Sequence, residues 1–322
     1  MTKKNRLFLL LSPFTFYSLL FFLGPMLILL IFSFLEPGIY GGVEWNFYHH
    51  NYGRILGWAD GEFEDFDIIY TIIFLRSVRL ASITVLFTLL ICYPAALWIS
   101  NLNPKLRNFF IFLITLPFFA SLVVRLFAWM IILKPSGILN QVLISLHIIN
   151  EPILMLFTEG AVIVGMVYVL IPFMFLPLYA SIEKIDPMLI QASKDLGANK
   201  FITFYKITLP LSIPGIIGGS ILVFIPSLGN FIVPDLLGGA KVMMIGNLIE
   251  QSFLMGRNWP FGSALSMILM ATVVIFLLFL GPCSNDEKQK LVGKKIAFKS
   301  NKVKINKEAF NELSQIEKQN FN

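Results

Sequence analysis

The chain has 322 residues, of which 57% are hydrophobic and only 14% are charged, and this composition excludes an ordinary soluble domain of that length. The net charge of +6 arises from basic residues near the two ends and in short connections, without the interleaved aromatic residues of a nucleic-acid surface. The two cysteines, Cys92 and Cys283, have no spacing typical of a disulfide framework or a metal motif. The composition therefore predicts an all-α integral membrane protein.

Apolar runs of about 20 residues, the length that crosses the roughly 30 Å hydrocarbon layer, occur along the whole chain. They cover residues 7–35, about 80–100, 109–133, 161–180, 211–233 and 263–280. A cleaved signal peptide is the rival interpretation of the first run, but that run is too long and lacks a small-residue cleavage site. The sequence therefore predicts six transmembrane helices, the first preceded by a basic head within residues 1–35.

The longest polar connection before the tail, residues 36–67, is strongly acidic and contains several aromatic residues. Its adjacent His49 and His50 invite a metal hypothesis, but neighbouring side chains in a helix or strand point in different directions, so we predict no metal site. The stretch 68–75 is interpreted as a helix that lies across the outer surface before the second run.

The third, fourth and fifth apolar runs contain prolines or glycines that can interrupt a helix, and the third also contains an arginine. Pro117 lies within the third run, and two prolines are expected to bend the fourth. The fifth run is interrupted by Pro214, Gly215, Gly218, Gly219, Pro226 and Gly229. Breakers at this density predict a broken helix of the kind that lines a membrane pathway. Arg125 in the third run is either a functional residue inside the membrane or a side chain that extends to the interface.

The outer connection 134–160 contains a proline–glycine turn, and residues 138–146 are predicted to form a short amphipathic helix. Lysine and arginine in segments near the membrane set the orientation. With both termini in the cytoplasm, the basic head, residues 101–108, residues 186–210 and the lysine-rich tail 285–322 all face inside. The tail is expected to be largely disordered and solvated, and binding to anionic lipid headgroups is its alternative role.

The polar stretch 186–210 separates two of the most apolar runs and predicts a helical hairpin. Asp186 is a good N-cap, and Pro187 suits the first helical position, where a missing N–H costs nothing. Gly197 is placed where a left-handed residue usually ends a helix, and Asn199 can cap a second short helix before Pro210 opens the next run. The hairpin is either an ordinary cytoplasmic loop or a surface that inserts into a groove on another protein.

Motifs for nucleotide hydrolysis or covalent catalysis are missing from the sequence. It contains no GxxxxGK[ST] phosphate loop, no HExxH and no GxSxG, and its three histidines all lie in predicted outer loops. The chain is therefore predicted not to be an enzyme.

The hairpin resembles the EAA loop of ABC-importer permeases, whose pattern is E-A-A, three residues, G, nine residues, I, one residue, L-P. The matching positions are Gln191, Ala192, Ser193, Gly197, Ile207, Leu209 and Pro210. Gln191 stands in place of the family's glutamate, and Ser193 in place of its second alanine. The resemblance implies that this loop, with Asp195, docks into a cleft of a separate ATP-binding subunit and transmits motion to the membrane helices.

The resemblance extends over most of residues 7–282. The segments VYVLIPFMFLPLYASIEKID and LPLSIPGIIGGSILVFIPSLGNFIVPDLLGGAK are similar to permease subunits of spermidine/putrescine importers. By that similarity residues 68–282 form a type-1 ABC importer permease core in a bacterial inner membrane. The implied partners are an ATP-binding subunit that uses ATP and Mg, a second related permease and a periplasmic polyamine-binding protein. The chain itself is expected to bind no cofactor.

A polyamine needs carboxylates and aromatic faces along its route. The predicted pathway residues are Asp235, Glu250, Tyr168, Trp129 and Trp45. Their rival interpretation makes Asp235 a helix cap and Glu250 a solvated charge. The alternatives for the whole chain are a permease for another small cationic or polar solute, a self-contained secondary carrier, or a membrane scaffold.

Overall fold

A computed structural model of the protein describes residues 12–58 and 68–278. Within these ranges six helical segments are long and apolar enough to cross a membrane, which confirms the predicted number of spans. The extreme N-terminus, most acidic residues of the loop 36–67, and the lysine-rich tail 285–322 lie outside the described residues.

Helix α1, Ser12–Phe32, ends three residues before the predicted limit of the first run. The chain then forms an antiparallel pair of strands, β1 (Leu35–Pro37) and β2 (Val43–Phe47), in the loop that had been predicted only as a polar connection. Apart from this pair, the described residues are almost entirely helical. α1 buries no residue of its second half, Gly24–Phe32, against the rest of the chain, so its apolar side chains face outwards.

A short helix, α2 (His50–Leu56), packs beside the two strands. The buried Asn51 joins them, because its Nδ2 donates hydrogen bonds to the backbone oxygens of Ser33 (3.1 Å) and Leu35 (3.0 Å). This single side chain satisfies carbonyls at the point where α1 turns into β1.

Helix α3 runs without interruption from Ile69 to Ser100, so the expectation of a separate surface helix over residues 68–75 is wrong. Its 32 residues correspond to about 48 Å, more than the hydrocarbon thickness. Arg76 and Arg79 do not end the helix because both lie close to Glu159, at 3.7 and 2.6 Å, on a neighbouring helix. The predicted start of the second span near residue 80 is therefore not a helix boundary, and ion pairs between two helices lie there instead.

The third predicted helix, residues 109–133, is divided in the structure. Helix α4 covers Pro104–Thr115, a 3₁₀ turn covers Leu116–Phe119, and helix α5 covers Leu122–Leu133. Pro117 causes the division, because it cannot donate to the preceding helical turn and its ring crowds the carbonyl four residues earlier. Each 12-residue helix is only about 18 Å long and too short to cross alone. The third of the six apolar segments is Leu122–Ser145, which starts with α5 and therefore lies later in the chain than the predicted 109–133.

The predicted short helix in the next connection is confirmed as α6, Ile138–Ser145. Helix α7 then covers Glu159–Ile182, slightly longer than the predicted 161–180, and contains Pro172 and Pro177 without interruption. α3 and α7 pack together over much of their length, and Thr84, Met166 and other buried residues of these two helices form part of the core.

After α7 the chain forms helix α8, Pro187–Asp195, and then helix α9, Lys200–Leu228. The predicted second short helix is not separate, because it continues through a π-helical turn, Phe204–Thr208, into α9. Pro210 has no N–H to donate to the carbonyl of Lys206, four residues earlier. In the π-helical turn the hydrogen bonds join residues five apart, so this missing bond is not required. The end of the membrane that carries α8 is called the hairpin side, and the other end is called the opposite side.

The predicted break within residues 211–233 occurs at Gly229, where the helix ends before helical structure resumes at Ile232. The other predicted breakers, from Pro214 to Pro226, do not interrupt α9, which is continuous up to Leu228. Its glycines serve close packing. A Cβ on Gly215 would lie 2.8 Å from the backbone oxygen of Pro177, and one on Gly219 would lie 3.1 Å from that of Met174. Small residues thus let α9 approach the backbone of α7, as is common between membrane helices.

The remaining residues return to the membrane on the opposite side. A π-helical turn, Pro234–Gly238, and a 3₁₀ turn, Gly239–Lys241, lead to helix α10, Ile245–Leu254. The last helix, α11, covers Trp259–Leu278 and is stacked on α9 through Phe276 and Phe224, whose ring centroids lie 4.1 Å apart.

Candidate functional site

The hairpin of α8 and the start of α9 has the caps that its sequence predicts. Asp186 Oδ1 accepts a hydrogen bond from the N–H of Met188 (2.9 Å), and Asn199 Oδ1 accepts one from the N–H of Ile202 (2.8 Å). Gly197 lies between the two helices with φ of +78°, in the left-handed region that favours glycine. The three local predictions are therefore confirmed.

Ser193 has a structural role that the sequence did not reveal. Its hydroxyl shares a hydrogen bond of 2.8 Å with the hydroxyl of Thr203, and both side chains are buried. Thr203 in turn donates to the backbone oxygen of Asn199 (3.1 Å). The serine therefore ties the two helices of the hairpin together, which alanine at this position cannot do.

The outer surface of the hairpin is apolar and exposed. Leu196 is 88% exposed and Met188 70%, although they lie in a polar connection rather than in a span. A groove of about 530 Å³ is lined by Leu189, Ala192, Ser193, Leu196, Gly197, Ala198, Ile202, Lys206 and Ile207. Exposed apolar patches of this kind mark interaction sites.

The structure brings most of the predicted hairpin residues to one surface. Ala192, Ser193, Gly197 and Ile207 line the groove, while Gln191 and Asp195 are exposed on α8 beside it. The last two predicted residues lie away from this surface. Leu209 is half-buried and Pro210 is exposed in the long helix α9, so they follow the hairpin and do not form its surface.

The base of the hairpin is fixed to the membrane helices. Tyr93 on α3 hydrogen-bonds Ser212 on α9 (2.8 Å), and its ring packs edge-to-face on Phe204 with centroids 5.6 Å apart. Ser181 at the end of α7 donates to the backbone oxygen of Leu211 (3.5 Å). The first turns of α9 are therefore held against α3 and α7 by direct contacts.

On the opposite side, Asp235 lies on the turn Pro234–Gly238, whose other face is packed against α7. A Cβ on Gly165 of α7 would meet the side chains of Val233 and Leu237, which are fully buried, whereas Asp235 is exposed. The turn thus presents a carboxylate away from the helix on which it rests.

Asn247 holds that carboxylate in place and was missed by the sequence reasoning. Its Nδ2 donates to Asp235 Oδ1 (2.5 Å) and to the backbone oxygen of Phe231 (2.9 Å), and its Oδ1 accepts from the N–H of Met244 (3.3 Å). The side chain is 2% exposed. A lone asparagine in an apolar stretch was the available signal, but its partners are distant in sequence.

The other predicted pathway residues are dispersed. Trp129 and Tyr168 pack edge-to-face with centroids 5.6 Å apart, and Trp129 borders the same apolar cluster as Val233. Glu250 is half-buried on α10, and Trp45 is exposed on β2 in the strand pair. The described contacts therefore join two of the predicted aromatics but do not join them to either carboxylate.

Arg125 is directed towards the predicted aromatic pair. Its Cζ lies over the ring of Tyr168, 5.8 Å from the centroid, and its buried Nε has no hydrogen-bond partner among the described residues. Tyr168 is nine residues after Glu159, the start of α7, which corresponds to about 14 Å along the helix. This depth favours the intramembrane interpretation, and a cation already covers one face of Tyr168.

His49 and His50 do not form part of a larger group of metal ligands. Their ring centroids lie 4.2 Å apart, and each ring also packs near an aromatic residue, Phe47 or Tyr48. Among residues 12–58 and 68–278, no three histidine, cysteine, aspartate or glutamate side chains are grouped so as to hold a metal ion.

Residues 93–281 match the family described as binding-protein-dependent transport system inner membrane component. The chain is 47% identical over 212 residues to the spermidine/putrescine transport system permease protein PotB of Haemophilus influenzae, covering 65% of this chain and 74% of that protein. It is 39% identical over 281 residues to the protein of the same name from Salmonella typhimurium, covering 87% of this chain and 93% of that protein.

A solved structure has the same fold. It is that of a bacterial alginate ABC transporter in complex with an alginate pentasaccharide-bound periplasmic protein. One of its chains is similar with a TM-score of 0.66 and 19% identity, covering 88% of this chain and 94% of that one. The likeness confirms the predicted fold.

Proposed function

The chain belongs to the family of binding-protein-dependent transport system inner membrane components, and on that premise we propose that it carries spermidine and putrescine into the cell as one permease subunit of an ABC importer. It is a multi-pass inner membrane transport permease. The observation that supports the substrate class best is the similarity to PotB permeases over nearly the whole described chain.

The energy source is a separate ATP-binding subunit that docks on the hairpin from the cytoplasm. The exposed apolar groove beside Gln191 and Asp195 supports this role, because exposed apolar grooves are where partner proteins dock. ATP and Mg are used by that subunit, and this chain has no nucleotide site of its own. Both termini, like the hairpin, lie in the cytoplasm.

A second, related permease subunit and a periplasmic polyamine-binding protein complete the importer. The bare apolar side of α1 and the exposed residues Val124, Phe127 and Ile131 of α5 are available for the second permease or for lipid. The strand pair and α2 lie on the opposite side, which is periplasmic in this orientation, where a binding protein delivers its cargo.

Asp235 is the best-supported carboxylate of the translocation pathway. It is exposed, its Oδ1 is oriented by Asn247, and no described residue hydrogen-bonds its Oδ2, so a substrate ammonium can bind there. Glu250, Trp129 and Trp45 are secondary candidates. Tyr168 can offer only the ring face that Arg125 leaves uncovered.

The test is uptake of labelled spermidine and putrescine by proteoliposomes that contain both permeases, the ATP-binding subunit and the binding protein. We expect the polyamines to accumulate only when ATP is present on the side of the membrane that carries the ATP-binding subunit. The binding protein must be present on the other side. Accumulation of neither polyamine by a complex that hydrolyses ATP and imports another solute would reject the substrate and retain the permease. Uptake without any nucleotide would instead support a secondary carrier.

A further inference from the structure

A second cavity on the hairpin side differs from the docking groove in both position and chemistry. It has a volume of about 600 Å³ and lies behind the hairpin, between the end of α3, the start of α4 and the end of α7. Its polar walls include Arg107, Lys194 and Lys200, together with Glu183. Three cationic side chains against one carboxylate leave an excess of positive charge around the space.

Arg107 on α4 is only partly satisfied. Its Nη1 pairs with Glu183 Oε1 at 3.2 Å, but its Nε is buried and has no partner among the described residues. A guanidinium presents its donors in a planar fork that suits two oxygens of one anion, and an unpaired buried donor is costly. Arg107, which lines the cavity, therefore has a donor that an anion could pair with.

The two lysines come from opposite arms of the hairpin. Lys194 is in the last turn of α8 and Lys200 is the first residue of α9, and both are exposed on either side of the bend at Gly197. Neither lysine forms an ion pair with a described residue. Both side chains are therefore available to a further anion in the space that they share with Arg107.

The cavity also has an apolar wall, formed by Leu97, Ile182, Ile185 and Ile190. It lies where α3 and α7 end, at Ser100 and Ile182, which is the level of the lipid headgroups for helices that span the membrane. Basic pockets beside transmembrane helices on the cytoplasmic side bind anionic headgroups. A basic rim with an apolar wall suits a phosphate attached to an apolar chain.

We infer that this cavity binds the phosphate group of an anionic ligand and thereby joins both arms of the hairpin to α4. The cytoplasmic position of the site rests on the orientation in the proposed function. The phosphate can come from an inner-leaflet phospholipid or from inorganic phosphate. Since it contacts Lys194, Lys200 and Arg107 together, its presence stiffens the hairpin against the rest of the permease.

The test measures binding in the purified importer complex by native mass spectrometry and by thermal unfolding, without polyamine or ATP. One arm adds phosphatidylglycerol in mixed detergent micelles, one adds phosphatidylcholine, and one adds inorganic phosphate alone. We expect saturable retention of phosphatidylglycerol, weakened about tenfold or more in the double variant Lys194→Gln/Lys200→Gln. Stabilisation by inorganic phosphate alone, with the same sensitivity to the double variant, would identify the free anion as the source.

Lys184→Gln is the matched control, because Lys184 is an exposed lysine at the same end of α7 that does not line the cavity. This variant should retain phosphatidylglycerol as the unsubstituted complex does. Equal binding by the double variant and the unsubstituted complex, or an equal loss in the Lys184→Gln control, would overturn the inference. Because the readout is binding, a complex that transports no polyamine can still give either result.

Discussion

The two ends of α9 are stabilised in different ways. At the hairpin end, the capping and turn residues Asp186, Gly197 and Asn199 act on backbone groups within a few positions of themselves. At the other end, the exposed Asp235 depends on Asn247, which belongs to another helix. The hairpin is therefore shaped mainly by local bonds, whereas the position of Asp235 also depends on packing against α7 and on a contact from α10.

The largest effect is expected from separating α9 from α7, because the packing of these two helices supports the Asp235 region. We expect Gly215→Val to lower the free energy of unfolding by about 3 kcal/mol or more, because its Cβ would lie 2.8 Å from the backbone oxygen of Pro177. The measurement is thermal unfolding of the purified permease and the amount inserted in the membrane.

Gly218→Ala is the control for this substitution, since a Cβ there would lie 3.9 Å from its nearest neighbour, Pro177 Cβ, which is an ordinary contact distance. Alanine at this position should leave stability unchanged or slightly improved, because it favours the helix. Wild-type stability of Gly215→Val would show that the packing of α7 on α9 is looser than the contacts indicate.

The next largest effect is expected at the hairpin alone. Gly197→Val should reduce uptake at least about tenfold while the protein remains inserted, because a β-branched residue is strained at φ of +78°. Nothing lies within 4 Å of a Cβ at this position, so the effect is conformational rather than a clash.

Gly197→Asn separates backbone strain from loss of glycine itself. Asparagine tolerates the left-handed region, so this variant should retain a substantial part of the uptake. Normal uptake by Gly197→Val, measured at equal amounts of inserted protein, would contradict the role of the hairpin bend in coupling.

A smaller effect at the opposite end tests its long-range stabilisation. Asn247→Leu should lower the free energy of unfolding by about 1–3 kcal/mol, because Phe231 and Asp235 lose a buried donor. A double-mutant cycle with Asp235→Ala, which removes the acceptor, should give a coupling energy of about 1 kcal/mol. Strict additivity of the two substitutions would mean that the contact between these side chains contributes nothing.

The smallest effect is expected at Gln191, where the family has a glutamate. Gln191 is exposed on α8 and makes no described hydrogen bond through its side chain, so Gln191→Glu should change stability by less than about 0.5 kcal/mol and uptake by less than about twofold. ATP-dependent uptake is the measurement. A large gain or loss would show that charge, rather than the shape of the groove, determines docking.

The same contrast explains which features could be predicted from the sequence. Caps and turns depend on neighbours along the chain, so Asp186, Gly197 and Asn199 were interpreted correctly. The glycines of α9 were predicted to break the helix, because the sequence does not show that the backbone of α7 lies beside them. Asn247 was overlooked for the same reason, since its bonds to Phe231 and Asp235 exist only after the chain has folded.

Two further differences have different physical causes. Arg76 and Arg79 looked like the start of a span, but Glu159 on α7 pairs with them and α3 continues past them. That outcome depends on a charge on another helix that the residue pattern does not specify. Pro117 was expected within one helix, but the chain divides there into two short helices, and the cause is the proline itself.

The uninterrupted helix α9 has a mechanical consequence. It extends from Lys200 to Leu228 and touches the backbone of α7 most closely at Gly215 and Gly219. Measured from the middle of that contact, the arm towards the hairpin is about 25 Å long and the other arm about 17 Å. A rotation about this fulcrum moves the two ends in opposite directions, and the hairpin end travels about one and a half times as far. For such a rotation the helix is a lever with unequal arms, in which a longer stroke at Lys200 accompanies a shorter one at Leu228.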